Sequence, residues 1–429
     1  MINWQKITVL VVLISGVACN LSTAGDTADR WQIGVPIATY YAGPPMTETA
    51  ARQMAEAGFN LVWCNEQELD TAQKFGLRAL LTAPETMNPQ TMNDEGQIAK
   101  LDALIKRVRK HPAMYAYYII DEPSASLFPL LGKLVAHLRE KDPYHMAYIN
   151  LFPTYATNEQ LGNTGDTVSA YLKHLNLFME QVKPDLLSYD HYHFTSGGND
   201  GNQYFLNLGM IREKAMEAGI PFLNIVQGCT WCEGMRPPNR NEMRWLNYTS
   251  LAYGAQGISY YVYYSPGHYY DRFGGNVGGM MKPDGSTTPQ YEAAKELNPQ
   301  FIAVSSELQP LHSLAVYHKG TVPWGAKGLP DNASFSVKFS GEEPLSTMPD
   351  EGILLGYFGN KGGNPTHVLV VNLNYKRELQ TTVVGPGRLS LFDASTRKWT
   401  EADSSSADIT LPPGGGKLFR VEPTESSVK

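Results

Sequence analysis

From Trp31 to about residue 305 the chain repeats one unit, a short apolar run followed by a stretch with apolar residues spaced three and four apart. That alternation constrains the fold more than any other feature. Two parallel strands need a long, usually helical crossover to pair, so repeated units of this kind build a parallel sheet clothed in helices. Eight strands are expected, over residues 32–38, 59–63, 77–81, 115–120, 145–150, 185–188, 221–226 and 258–263. Helices fill the gaps, several closed by a glycine such as Gly58, Gly76 or Gly219 where a left-handed cap is needed. Eight such units predict a (β/α)8 TIM barrel over residues 29–305. Past Leu308 the helical spacing stops. Residues 306–350 are expected to be a linker and the first part of a β domain, and residues 351–423, short alternating runs between Gly, Pro and Asn turns, a C-terminal antiparallel β-sandwich. The sandwich holds no cluster of acids, His or Cys, so it is expected to be a stabilising accessory.

A barrel keeps its chemistry at the carboxyl ends of its strands. The fourth run, Tyr115-Ala116-Tyr117-Tyr118-Ile119-Ile120, ends in Asp121-Glu122-Pro123, and Pro123 cannot continue a ladder, so both acids fall at that rim. The other strand ends are also polar or aromatic: Tyr40, Asn65 and Glu66, Glu85, Asn150, Asp190 and His191, Gln227, Tyr263 and Tyr264. Confining several acids to one rim costs electrostatic energy without a ligand to justify it. A net charge of −7 offers no basic surface for a nucleic acid, whereas the 11% of aromatic residues suits stacking on sugar rings. The expected partner is a carbohydrate. Sugar-contacting candidates are Tyr40, Trp63, Asn65, Glu66, Asp121, Asn150, His191, Tyr192, Gln227, Trp231, Tyr263 and Tyr264.

Tyr118-Ile119-Ile120-Asp121-Glu122-Pro123 resembles the Asn-Glu-Pro signature of the large clan of TIM-barrel glycosidases that includes glycoside hydrolase families 5, 39 and 42. Ala252-Tyr253-Gly254-Ala255-Gln256-Gly257-Ile258-Ser259-Tyr260 looks like the approach to strand eight in family 42-type β-galactosidases. The resemblance implies a glycoside hydrolase with Glu122 as general acid/base, a role that needs a carboxyl whose pKa is raised toward neutrality. Asp121 stands where the signature has Asn. The clan also places a nucleophilic Glu at the end of strand seven, where this chain has Gln227. Three readings stay open: Glu233 reaches the site from its loop, Asp190 at the end of strand six acts as base for an inverting reaction, or the barrel binds sugar without cleaving it.

No cofactor or metal is expected. Cys229-Thr230-Trp231-Cys232 has the spacing of half a zinc site with no second half nearby, which leaves a local disulfide or two free thiols. Asp190, His191 and His193 are metal-capable, but along a strand His191 points away from both neighbours. At the amino terminus Lys6 and the apolar run 8–17 read as an export signal over residues 1–24. Cleavage before Cys19 would leave a lipid-anchored protein and cleavage after Ala24 a secreted or periplasmic one.

Overall fold

Eight strands, β1 (Ile37–Tyr41), β2 (Leu61–Cys64), β3 (Arg78–Thr82), β4 (Met114–Asp121), β5 (Met146–Leu151), β6 (Leu187–His191), β7 (Phe222–Gln227) and β8 (Gly257–Tyr261), form one sheet in the order β1-β8-β7-β6-β5-β4-β3-β2, every pair parallel. The computed structural model describes residues 31–198, 200–339, 351–401 and 403–422; the expected leader, with Lys6 and Cys19, lies outside them. The seam between β1 and β2 is closed largely by side chains. Asn60 N donates to Ala38 O (3.0 Å), Asn60 Oδ1 accepts from Ala38 N (3.1 Å), and Trp63 Nε1 donates to Tyr40 O (2.8 Å). This is a (β/α)8 barrel.

Among the described residues, ten helices connect or flank the strands: α1 (Glu48–Glu56), α2 (Leu69–Lys74), α3 (Glu95–Val108), α4 (Phe128–Lys141), α5 (Asn158–Leu161), α6 (Thr167–Gln181), α7 (Tyr204–Ala218), α8 (Arg240–Tyr253), α9 (Gly267–Phe273) and α10 (Pro289–Leu308). Their starts follow elementary capping: Thr47, Asp94, Asp166 and Asn239 each accept a hydrogen bond from a first-turn amide. Two apolar layers result. Ile37, Leu61, Leu80, Ala116, Met146, Tyr148, Leu223 and Ile225 fill the barrel, with Trp31 and Ile33 among them, while Ala38, Tyr40, Val62, Tyr117, Tyr189 and Tyr260 face the helices.

The C-terminal region contains a six-stranded sheet, β15-β14-β17-β12-β11-β9, and a three-stranded sheet, β10-β13-β16, formed by β9 (His312–Gly320), β10 (Ser336–Phe339), β11 (Gly352–Gly359), β12 (His367–Asn372), β13 (Leu379–Val384), β14 (Leu389–Asp393), β15 (Lys398–Trp399), β16 (Ser406–Leu411) and β17 (Gly416–Val421). Alternation sorts the side chains. Ile353, Leu355, Val368, Val370 and Phe419 pack with Val337, Val383 and Ile409 inside the sandwich, while Leu354, Leu369, Val371 and Leu418 turn toward the barrel's helical layer. At Gly356 a side chain would drive into the carbonyl of Ala252, so glycine is what lets β11 lie directly on α8. Strands 312–320, 336–339, 398–399 and 406–411 were not anticipated; the first two lie in the stretch expected to be a linker and the start of the β domain, and the last two are interleaved with polar residues.

Candidate active site

Three consecutive inward positions on neighbouring strands carry the polar centre: Asp121 at the end of β4, Asn150 on β5 and Asp190 on β6. A single side-chain amide joins them. Asn150 Nδ2 donates to Asp121 Oδ1 (3.0 Å) and to Asp190 Oδ1 (2.9 Å). Its own oxygen accepts from Ser188 Oγ (3.0 Å), which is in contact with Tyr148 OH (2.8 Å), so the amide can face only one way. Tyr41 OH donates to the other oxygen of Asp121 (2.8 Å).

Two backbone irregularities aim the acids. The register of β4 against β5 shifts between Tyr118 and Ile120, a bulge that brings both Tyr118 and Asp121 to the inner face although they are three residues apart. Glu122 follows with φ of +45°, a left-handed conformation that a non-glycine residue adopts at a cost of about 1–3 kcal/mol. Its amide donates to Asn150 O (2.9 Å), and its side chain is hydrogen-bonded to Asp190. The two carboxyls are therefore close enough for their titrations to be coupled.

Electrostatics follow from burial. Glu122 is pushed up to about 7, first by loss of water and then by the Asp121 charge, with the hydrogen bond from Asp190 opposing the rise. Asp190, 3% exposed, is raised far above the carboxylate range by burial and by Glu122 and Asp121. Asp121 is also raised by burial, and the Asn150 and Tyr41 donors work against that. No Lys or Arg figures among the groups acting on these acids. The group thus supplies a protonated acid and a carboxylate side by side near neutral pH.

Around the acids runs a chain of aromatic rings: Trp231 to Tyr192 (5.5 Å between centroids), Tyr192 to Tyr261 (5.3 Å), Tyr261 to Tyr41 (5.4 Å), Tyr41 to Trp63 (4.9 Å) and Trp63 to Tyr118 (4.4 Å). All six are partly exposed, and Tyr155, 42% exposed, accepts a hydrogen bond from the Tyr192 amide (3.2 Å). Flat apolar faces beside hydrogen-bonding acids are the two elements of a sugar site.

Of the expected site residues, Glu122, Asp190, Asp121, Asn150, Trp63, Tyr192 and Trp231 come together here. Others do not. Tyr40 and Tyr263, 1% and 0% exposed, pack on each other and on Phe59 in the layer beneath the helices, because they occupy the outward phase of β1 and the turn beyond β8. Tyr264 packs partly buried against the same layer. His191 is buried against α7 with Nδ1 on Asn207 Oδ1 (2.9 Å), and burial lowers it to about 3. Asn65 caps the turn Glu66–Glu68, and Glu66 is held by Arg107 at 2.6 and 2.8 Å. Glu85 lines, with Glu66 and Arg107, a separate cleft of about 450 Å³ beside α3. Glu233 is exposed on the β7–α8 loop, 3.6 Å from Arg272.

Gln227 is fully buried. Its Nε2 donates to Phe194 O (2.9 Å) and Arg236 O (2.7 Å), and its Oε1 accepts from Phe194 N (2.8 Å), so it clamps the two loops that carry Tyr192 and Trp231. Cys64, Cys229 and Cys232 are free thiols. Tyr41, Tyr118, Tyr148, Tyr155, Ser188 and Tyr261 were missed as site residues. For Tyr41 and Tyr261 the available signal was the two-residue period: each continues the inward phase of its strand, Tyr41 one position after Tyr40 and Tyr261 two positions before Tyr263.

No family model matches the sequence, and no curated protein does. Solved structures are similar in fold. A β-galactosidase from Bacillus circulans sp. alkalophilus superposes with a TM-score of 0.58 at 10% identity, over 90% of this chain and 99% of that one. A glycoside hydrolase family 5 protein from Bacteroides vulgatus gives 0.54 at 13% identity over 91% of each chain, and a further glycoside hydrolase gives 0.53 at 12% over 90% and 92%. The chain has the barrel-plus-β architecture of TIM-barrel glycoside hydrolases.

Proposed function

We propose that this protein is a glycoside hydrolase in which Glu122 is the general acid/base and Asp190 its partner carboxylate. The observation that carries the reading is the hydrogen-bonded Glu122–Asp190 pair at the carboxyl end of the barrel, ringed by exposed aromatic faces. An alkoxide leaves poorly unless protonated, and a carboxyl raised to about 7 can supply that proton at neutral pH. Retaining enzymes hold their two carboxyls about 5–5.5 Å apart, and inverting ones about 6.5–9.5 Å, which leaves room for a water. The coupled titration of Glu122 and Asp190 fits the shorter spacing. The coupling favours retention, with the pair's shared proton passing from Asp190 to Glu122 as substrate binds: Asp190, then ionised, attacks the anomeric carbon while Glu122 protonates the leaving oxygen, and Glu122 then takes a proton from the water that releases the sugar. Asn150, held by Ser188, fixes Asp190 for that attack, and Tyr41 keeps Asp121 in place beside the acid.

The second reading, a barrel that binds carbohydrate without cleaving it, is favoured by Gln227, whose amide is committed to backbone groups at the position where the clan has its nucleophile. A panel of aryl glycosides and oligosaccharides decides between them. Cleavage that falls at least about 10²–10⁴-fold in both Glu122→Gln and Asp190→Asn supports the enzyme, and NMR of the first-formed anomer tests retention. Binding with no cleavage by the wild type favours the second reading. Export remains part of the proposal, resting on Lys6 and the apolar run 8–17; the mass and first residue of the mature protein distinguish lipidation at Cys19 from cleavage after Ala24.

A further inference from the structure

The loop that follows β6 carries Tyr192 over the acids and then runs back under the C-terminal sheets, where it is held by a residue from outside the barrel. Tyr375, in the turn between β12 and β13 and 3% exposed, donates from its hydroxyl to Asp200 Oδ2 (2.7 Å). The other oxygen of Asp200 accepts from Thr195 N (2.9 Å), and Arg236 stands 3.6 Å away. Arg236 in turn donates through Nε to Thr195 O (3.0 Å) and pairs with Glu242 on α8 (2.7 Å). The Tyr375 ring lies edge-on to Phe194 (5.6 Å), the residue whose amide and carbonyl Gln227 grips. The β6 and β7 loops are stitched together beside this point, Ser196 N donating to Gly234 O (2.8 Å).

We propose that Tyr375 is a positioning residue for the aromatic wall formed by Tyr192 and Trp231, so that the C-terminal sheets complete the sugar site rather than merely cover helices. Asp200 is the point at which the barrel's loop is tied to the C-terminal region. Without the tyrosine hydroxyl its carboxylate keeps the Thr195 amide but loses this tie to that region, and the two loops become free to open as a unit. A hydrogen bond to an ionised carboxylate is roughly twice as strong as one between neutral groups.

The test uses a thiol already in place. Cys232 sits next to Trp231 and is partly exposed, whereas Cys64 and Cys229 are buried. In the full chain carrying Cys19→Ser, the rate of Cys232 modification by an aromatic disulfide reagent reports opening of the β7 loop. Tyr375→Phe is expected to raise that rate about tenfold, the effect of losing one charge-assisted hydrogen bond in a local opening equilibrium. Val337→Ala, in the sandwich core and remote from the loop, is expected to lower the melting temperature without changing the rate. An unchanged rate in Tyr375→Phe, or an equal rise in Val337→Ala, overturns the proposal. A second arm rests on the glycosidase reading: with a cleaved substrate in hand, Tyr375→Phe raises KM several-fold at constant kcat. Failure to find any substrate leaves the thiol arm to decide, so the two readings fail separately.

Discussion

Replacing Gln227 by glutamate restores the residue type that the clan's pattern would put at the end of β7, and the structure predicts harm rather than gained activity. Gln227 gives two hydrogen bonds to buried carbonyls, 2.9 and 2.7 Å long, and takes one from Phe194 N. An ionised carboxylate only accepts, so it keeps the third bond and turns a negative oxygen on both carbonyls. Each buried group left unpaired costs about 1–3 kcal/mol, so the ionised form loses about 2–6 kcal/mol. Protonation returns one donor and halves the loss to about 1–3 kcal/mol. The new carboxyl's folded pKa is therefore raised above its unfolded value near about 4.3. Below that value both states are protonated and the penalty is smallest; it grows as pH rises toward the folded pKa. Urea unfolding of wild type and Gln227→Glu at pH 5 and pH 8 measures this, the gap in midpoint widening at pH 8. A variant as stable as wild type at pH 8 that also hydrolyses glycosides faster would show that the side chain faces the mouth, and the clamp would be the wrong description.

Three further outcomes follow from the same geometry. Because Glu122 is raised from 4.5 to about 7, the folded protein binds more protons than the unfolded one across that window, so the pair's contribution to stability falls as pH rises through it. The melting temperature should decline over this range in the wild type and less in Asp190→Asn, whose amide can donate to an ionised Glu122; equal slopes would contradict the shared proton. With a substrate in hand, kcat/KM should fall above about pH 7 as the proton is lost, and that limb should disappear in Glu122→Gln. Asn150→Ala removes the side-chain donor common to Asp121 and Asp190 and should lower kcat by at least about tenfold with little change in KM, while Asn150→Asp, adding a fourth acid, should be worse in both stability and kcat.

The barrel and the Asp121–Glu122 rim were legible because they rest on long-range pattern: eight apolar runs separated by helical spacing, and one run ended by a proline. The phase of each strand was not. In β1 both Tyr40 and Tyr41 are aromatic, and in β8 both Tyr260 and Tyr261 are, because a barrel strand is apolar on both faces and hydrophobicity cannot say which is inner. Choosing Tyr40 over Tyr41 put the candidate in the helical layer. Strand ends mattered as much: extending the eighth strand to residue 263 drew attention to Tyr263 and Tyr264 when the strand stops at Tyr261. Glu66 and Asn65 fell at a true strand end, yet a cap and an arginine satisfy them, and nothing in their own neighbourhood of sequence announces Arg107 forty-one positions on.

What no pattern could reveal is how consecutive residues serve one face. Along a regular strand Asp121 and Glu122 would point to opposite sides. The bulge near Ile119 turns Asp121 inward beside Tyr118, and the left-handed turn at Glu122 then swings the second acid round to meet Asp190. Both features disfavour the fold locally, and both act at the one place where like charges are already gathered at a cost. Structural economy would remove all three: a regular β4, an asparagine at 121 and a helical or extended residue at 122 would give a more stable barrel. Their coincidence at a single rim, opposite Asn150 and under exposed aromatic faces, is the arrangement expected where stability is yielded to chemistry. A Glu122→Gly substitution would relax the backbone as well as deleting the acid, so it should stabilise the fold more than Glu122→Gln does, and abolish hydrolysis as completely.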